Sequence, residues 1–548
     1  MLFVWSGLVR RATALASIVL FSAHCYAAPD PATVETREGP VKGVVTEVHR
    51  QFLGIPYAAP PVGKLRWAAP QAAVARESLL DATSFRDKCT QISWRLPKVR
   101  QGSEDCLYLN VYTPLRDRSG RTKPLPVMVW LHGGGMVAGA SQDIDGSVLA
   151  ARGKLIVVTV NYRLGAFGFF SSPQLDAESA DHASGNYGIR DQQAALRWVQ
   201  DNIAAFGGDP GNVTVAGQSA GAISSWVHLV APGSAGLFHR VIAQSWPALI
   251  KSYSGMPYMR GVGGTQPLKV EQERGPSARL FAALGCQAQS DPLACARSKD
   301  ADAVLSAVDP QAARTLGWGV IVDGVLLPDS VLSMIERGQH QRVPILTGFN
   351  EGEMAFFTLM SLAYGGKEIT EEQYTAQLKN LPRGERVLAE YPASRYSSAE
   401  DARTAALGDA SACEAWHTAE VVSTRAPLYI YEFADLDAPP TIYDVPAAAG
   451  FRTLAFHTSE TPYVFHTGYP NELRPGAPPF QPAQQALADR MLGYWASFVR
   501  QGKPAAREQW PAFSASASVL LLKPEGDGPL DADEFTRRHR CSFWRSPE

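Results

Sequence analysis

Short, unbroken apolar runs recur through the middle of the chain. Val127-Met128-Val129-Trp130-Leu131 and Ile156-Val157-Val158-Thr159-Val160 carry no polar alternation, the pattern of strands buried on both faces. Val213-Thr214-Val215-Ala216 and Arg240-Val241-Ile242-Ala243-Gln244 read as two more strands, and residues 344–347 and 427–433 as later ones. Between them the period changes. Over residues 187–206, Ile189, Ala194, Leu196, Val199, Ile203 and Phe206 fall mostly along one helical stripe. Gly207-Gly208-Asp209-Pro210 ends it. Residues 222–230 also read as a helix. Strands alternating with helices predict an α/β fold, a large mostly parallel sheet with helices on both faces. Residues 255–309 and 358–412 read as helical and loop insertions over the active end. No internal repeat and no composition break divides the chain.

The sequence has 548 residues, 45% hydrophobic and 19% charged, with a formal net charge of -2. That is an ordinary globular composition, and it gives no reason to expect nucleic acid or a membrane surface as a partner. The first residues have a different character. Arg10-Arg11, an apolar stretch from Ala14 to Phe21 and the small residue of Cys25-Tyr26-Ala27 predict a signal peptide over residues 1–27. A bilayer span needs about 20 apolar residues, so no membrane anchor is expected. The expectation is one domain over residues 28–548 in a secreted or periplasmic protein.

Cleavage there removes Cys25 and leaves Cys89, Cys106, Cys286, Cys295, Cys413 and Cys541. An even count behind a leader predicts three disulfides in an oxidising compartment. Spacing alone leaves many pairings open. The simplest choice closes two short loops, Cys89–Cys106 and Cys286–Cys295, and leaves Cys413 with Cys541. No Cys-x-x-Cys occurs, so no metal site is expected, nor any organic cofactor.

The chemistry gathers around Gly217-Gln218-Ser219-Ala220-Gly221, set between a predicted strand and a predicted helix. Gly-x-Ser-x-Gly in that context is a nucleophile elbow, which lifts a serine hydroxyl above the sheet edge. A serine needs a base to take its proton, and the base needs an acid to hold its tautomer. Both are expected downstream of Ser219.

Several stretches together resemble the type-B carboxylesterases, the family of cholinesterases and bacterial para-nitrobenzyl esterases. They are Gln51-Phe52-Leu53-Gly54-Ile55-Pro56-Tyr57-Ala58, Glu104-Asp105-Cys106-Leu107-Tyr108-Leu109-Asn110-Val111-Tyr112, His132-Gly133-Gly134-Gly135, Asn161-Tyr162-Arg163, Asn186-Tyr187-Gly188 with Asp191-Gln192, and the elbow. The resemblance implies an α/β-hydrolase fold and serine ester hydrolysis of a small molecule through an acyl-enzyme. It implies Glu353 as the acid, after a Gly348-Phe349-Asn350 turn, with Glu351 and Asp323 as alternatives. It implies His457 as the base, ahead of His466 and His417. Gly134, Gly135 and Ala220 would form the oxyanion hole, and Ser245 and Glu460 would support the acid. Cys89–Cys106 resembles the family's omega-loop disulfide, and Cys413–Cys541 its late pair. The resemblance leaves the oligomeric state open.

Other residues depart from the cholinesterase pattern. Gln218 stands where cholinesterases have a glutamate, and Trp94 is the one aromatic residue between Cys89 and Cys106. Arg95, Lys98 and Arg100 lie in the same loop, with Arg86 and Lys88 just before it. A choline ester would lose its cation–π partners and meet repulsion. A basic rim instead suits an acyl group with free carboxylates, and fumonisin esterases, bacterial relatives, cleave tricarballylate esters of that kind. The alternatives are a general short-chain or aryl carboxylesterase and, from another class, a non-catalytic neuroligin-like binding protein.

Overall fold

The computed structural model describes residues 32–93, 99–115, 123–245, 268–269, 278–308, 318–358, 367–379, 383–439, 455–466, 479–505 and 510–545. The expected leader lies outside them. Among the described residues, eleven strands form one sheet. In chain order they are β1 (Val44–Val45), β2 (His49–Pro56), β3 (Tyr108–Pro114), β4 (Leu125–Leu131), β5 (Ile156–Val160), β6 (Gly208–Gln218), β7 (Arg240–Gln244), β8 (Ile345–Asn350), β9 (Leu428–Phe433), β10 (Val519–Leu522) and β11 (Gly528–Leu530). Across the sheet they run β11-β10-β9-β8-β7-β6-β4-β5-β3-β2-β1. The stretch from β10 to β5 is parallel throughout, and the antiparallel pairings are confined to the two margins.

The unbroken apolar runs follow from burial on both faces. In β4, Val127, Val129 and Leu131 join one core, while Met128 and Trp130 join the other. Helices α1 (Tyr187–Asn202) and α2 (Ala220–Val230) cover the first face with Leu196, Val199, Ala222 and Trp226. Helix α3 (Ala399–Ser423) packs beside β8 and β9. Helix α4 (Pro482–Gln501) covers the second face with Leu487, Met491 and Trp495.

Two boundaries differ from the sequence reading. Helix α2 begins at Ala220, directly after the serine, because Ser219 itself turns the chain. Gly348-Phe349-Asn350 is the end of β8 and not a turn, since all three pair with β9. The cysteines pair as Cys89–Cys106, Cys286–Cys295 and Cys413–Cys541. Among the described residues no helix is long and apolar enough to cross a membrane.

Candidate active site

The carboxyl ends of β4, β6, β7 and β8 converge, and the motif residues sit at those ends. In open α/β sheets this edge is where ligands bind. Ser219 follows β6 with φ 57° and ψ -120°, a region that a non-glycine residue occupies only at a cost of about 1–3 kcal/mol. Its N–H donates to Gln244 O at 3.0 Å, which anchors the turn to β7. The flanking glycines are dictated by contact. A Cβ on Gly221 would lie 1.9 Å from Leu131 O, and one on Gly217 would lie 2.4 Å from the backbone of Gly221.

The glycine run after β4 wraps the same point. A Cβ on Gly133 would lie 3.2 Å from Ser219 Cβ, so the run passes directly over the serine. Gly134 has φ +107°, and a Cβ there would lie 2.1 Å from Ala138 O. The N–H groups of Gly134 and Gly135 donate no backbone hydrogen bond within the described residues. The N–H of Ala220, first in α2, has no intrahelical partner. His132 is stacked on Tyr162 with centroids 4.3 Å apart, and the Tyr162 hydroxyl donates to His132 O at 2.7 Å. Burial pushes the His132 imidazole down to about 4, so it stays neutral beside the glycines. A buried Arg163–Asp191 pair at 2.6 Å ties the segment after β5 to α1.

The expected acid and base meet across two loops. Gly352 bridges Phe456, and His457 N donates to Glu353 O at 3.3 Å. Their side chains are hydrogen-bonded through His457 Nδ1 and Glu353 Oε1. A carboxylate only accepts, so Nδ1 carries the hydrogen and Nε2 is left as an acceptor. Gln218 Nε2 lies 3.3 Å from that Nε2 and donates to it. Phe356 and Phe357 flank the imidazole with centroids 5.5 and 5.4 Å away, which limits water at the acid–base bond.

Behind Glu353 stands a buried polar network. Asn350 N–H donates to Glu353 Oε2 at 2.8 Å. The Asn350 amide donates to Phe456 O and to Glu460 Oε2, both at 2.7 Å. Ser245 Oγ donates to Glu460 Oε1 at 3.0 Å, and Gln244 Nε2 at 3.2 Å. Trp495 Nε1 donates to Gln244 Oε1 at 2.9 Å and so orients that amide. Burial first, then the charge of Glu353, raises the Glu460 carboxyl above its usual range, against the Asn350 hydrogen bond. Ser245 touches Glu460, Glu460 touches Asn350, and it is Asn350 that reaches Glu353. The sequence does not mark Asn350 or Gln244 as part of this network. Their roles come from the register that sets β7 beside β8 and brings Glu460 against both strand ends.

The competing residues are engaged elsewhere. Asp323 accepts from Asn186 Nδ2 at 2.9 Å. Glu351 pairs with Arg538 at 2.7 Å. His466 lies 2.7 Å from Asp489, and His417 is 3.5 Å from Glu420 on α3. Arg95 and Lys98 lie outside the described residues. Arg100 is bonded to Ser306 and lies 3.3 Å from Asp302, both on the helix Ala301–Ala307. Among the described residues, no group of three or more His, Cys, Asp or Glu side chains could hold a metal ion.

Known proteins share this architecture. The sequence model described as "Carboxylesterase family" matches residues 30–544. Carboxylesterase 5A of Felis catus is 33% identical, with 94% of each chain covered. Cocaine esterase of Oryctolagus cuniculus is 34% identical, with 92% of each covered. Among solved structures, a PNB esterase superposes with a TM-score of 0.74 at 31% identity, covering 93% of this chain and 100% of that one. With sequence and fold in agreement, the chain belongs to the carboxylesterase family and is a carboxylic ester hydrolase of the α/β-hydrolase fold.

Proposed function

We propose that this is a secreted serine esterase that works through an acyl-enzyme. Ser219 attacks the ester carbonyl while His457 Nε2 takes its proton. Glu353 holds the imidazole by Nδ1 and stabilises its protonated form. The N–H groups of Gly134, Gly135 and Ala220 receive the oxyanion, each donor worth about 3 kcal/mol in the transition state. The alcohol leaves with the proton from His457, and a water activated by the same histidine then releases the acid. The His457–Glu353 hydrogen bond beside the strained Ser219 elbow carries this reading. Secretion is supported by the pairing of six cysteines, since disulfides persist in oxidising compartments.

The test is covalent labelling by a fluorophosphonate, which reacts only with an activated serine. The expected result is one label per molecule, lost in Ser219→Ala. An intact protein that takes no label would favour a neuroligin-like binding role instead.

For the substrate, a second reading is an acyl group with free carboxylates, such as a tricarballylate. Lys88 favours it, because it opens the loop that Gln91 ties to Gly139, just beyond the glycine run. Arg100 favours it less, because Asp302 and Ser306 already engage its guanidinium. A panel of neutral and carboxylate-bearing esters checks the idea. The acidic esters should turn over faster, and Arg95→Ala with Lys98→Ala should erase that preference. Equal rates throughout would leave a general short-chain or aryl carboxylesterase.

A further inference from the structure

The C-terminal end of the chain lies against the loop that carries Glu353. Helix α5 (Ala532–Arg538) ends in Arg538, and a tight turn through His539 and Arg540 leads into α6 (Cys541–Arg545). Arg538 lies 2.7 Å from Glu351, two residues before Glu353, and 3.4 Å from the buried Glu432 of β9. His539 meets Glu432 from the other side at 3.3 Å and Asp409 of α3 at 3.2 Å. Its ring stands edge-on to Phe349 at 5.9 Å, and Phe349 pairs with Glu432 in the strand register. Arg540 adds an ion pair to Asp409 at 3.2 Å and stacks over Tyr391 at 4.5 Å. The Cys413–Cys541 disulfide ties the start of α6 to α3, next to this turn.

Two of these contacts reach the end of β8 from outside the cleft, Arg538 at Glu351 and His539 at Phe349. Glu351 N–H is bonded to Phe433 O at 2.9 Å, so the backbone there is held by β9 and the side chain by Arg538. Asn350 and Glu353 flank Glu351 in the same segment, hydrogen-bonded to each other. A side chain that must hold an imidazole at one angle needs its backbone fixed to within a fraction of an ångström.

We propose that Arg538 is a positioning residue for catalysis, given Glu353 as the catalytic acid. Through Glu351 it clamps the acid loop in the one arrangement that places Glu353 against His457. The C-terminal helices are therefore a functional part of the active site, although they touch no substrate.

The experiment compares Arg538→Gln, Glu351→Gln and the double variant with the wild type, disulfides intact. Competent sites are titrated with a fluorophosphonate, so that rates are per active molecule and loss of folded protein drops out. Removing an interaction that acts only in the transition state lowers kcat and kcat/KM together and leaves KM unmoved. The expected loss is about five- to tenfold in kcat for each single variant, the scale of coupling between contacting residues. The double variant should fall no further, and Arg538→Lys should recover part of the rate.

Unchanged kcat per titrated site in both single variants would overturn the proposal, as would losses that multiply in the double. If Arg538→Gln does not fold, Glu351→Gln decides alone, because it only neutralises a part-exposed side chain. Full activity of Glu353→Gln would instead remove the catalytic acid on which the clamp depends.

Discussion

Asn350 and Glu353 hold each other. The Asn350 N–H donates to Glu353 Oε2 at 2.8 Å, and the Glu353 N–H returns to Asn350 O at 3.1 Å. One carboxylate oxygen is thereby occupied by the backbone, and the other is left for His457 Nδ1. The side chain of Asn350 meanwhile satisfies the buried Glu460. One residue sets the geometry of two acids.

Asn350→Ala keeps the backbone donor and removes the side-chain one. Glu460 Oε2 would then be buried without its amide, at a cost of about 1–3 kcal/mol. The expected outcome is a Tm lower by about one to three degrees with a smaller loss in kcat, read by calorimetry and ester hydrolysis on one preparation. An unchanged Tm would mean that the amide does not support Glu460.

Glu353→Gln replaces an acceptor-only group by one that can present N–H to His457 Nδ1. That favours the tautomer with hydrogen on Nε2, which cannot take the proton of Ser219. A loss of about 10⁴-fold in kcat is expected at nearly constant KM, as when the triad acid is made an amide elsewhere. A loss under about tenfold would point away from Glu353, because a wrong tautomer costs far more.

Gly134→Ala forces a Cβ to within 2.1 Å of Ala138 O at a φ of +107°. The loop must shift, and with it the Gly134 N–H that the proposed mechanism uses as an oxyanion donor. About a 10²-fold fall in kcat is expected, the effect of losing one such donor. Fluorophosphonate labelling should slow in proportion, since its adduct uses the same donors.

Stability should decline at alkaline pH through His539. The carboxylates of Asp409 and Glu432 raise its imidazole to about 9, against burial. A folded value above the unfolded one means that the stabilisation is complete below about 6.5 and fades as pH rises through about 9. His132 and His228 act at the other end. Burial lowers them to about 4 and about 3, so stability is lost as pH falls from the unfolded imidazole value toward those. Denaturant titrations across pH should show the alkaline decline in the wild type and a weaker one in His539→Gln.

Much of this architecture was legible in order along the chain. Unbroken runs such as Val127–Leu131 had to be strands buried on both faces, because no polar residue interrupts them. The glycines of the elbow were legible as a motif, though not the neighbours that require them. The neighbour over Gly221, Leu131 O, comes from the end of β4. Arg100 read as part of a basic rim for substrate and proved to be matched by Asp302 on a distant helix.

What the sequence by itself determined is the six parallel strands β4 to β9, the elbow motif and the inventory of groups suited to acyl transfer. Those follow from local periodicity and from short motifs whose chemistry needs adjacent residues. Only the tertiary structure decided that Asn350 reaches both acids, that Gln218 faces His457 Nε2, and that the C-terminal Arg538 backs the loop of Glu353. Each of these joins residues that meet only through strand order and register or a loop's close return. Hydrophobic pattern says which face a strand buries, but which strands become neighbours is decided by the packing of the whole sheet.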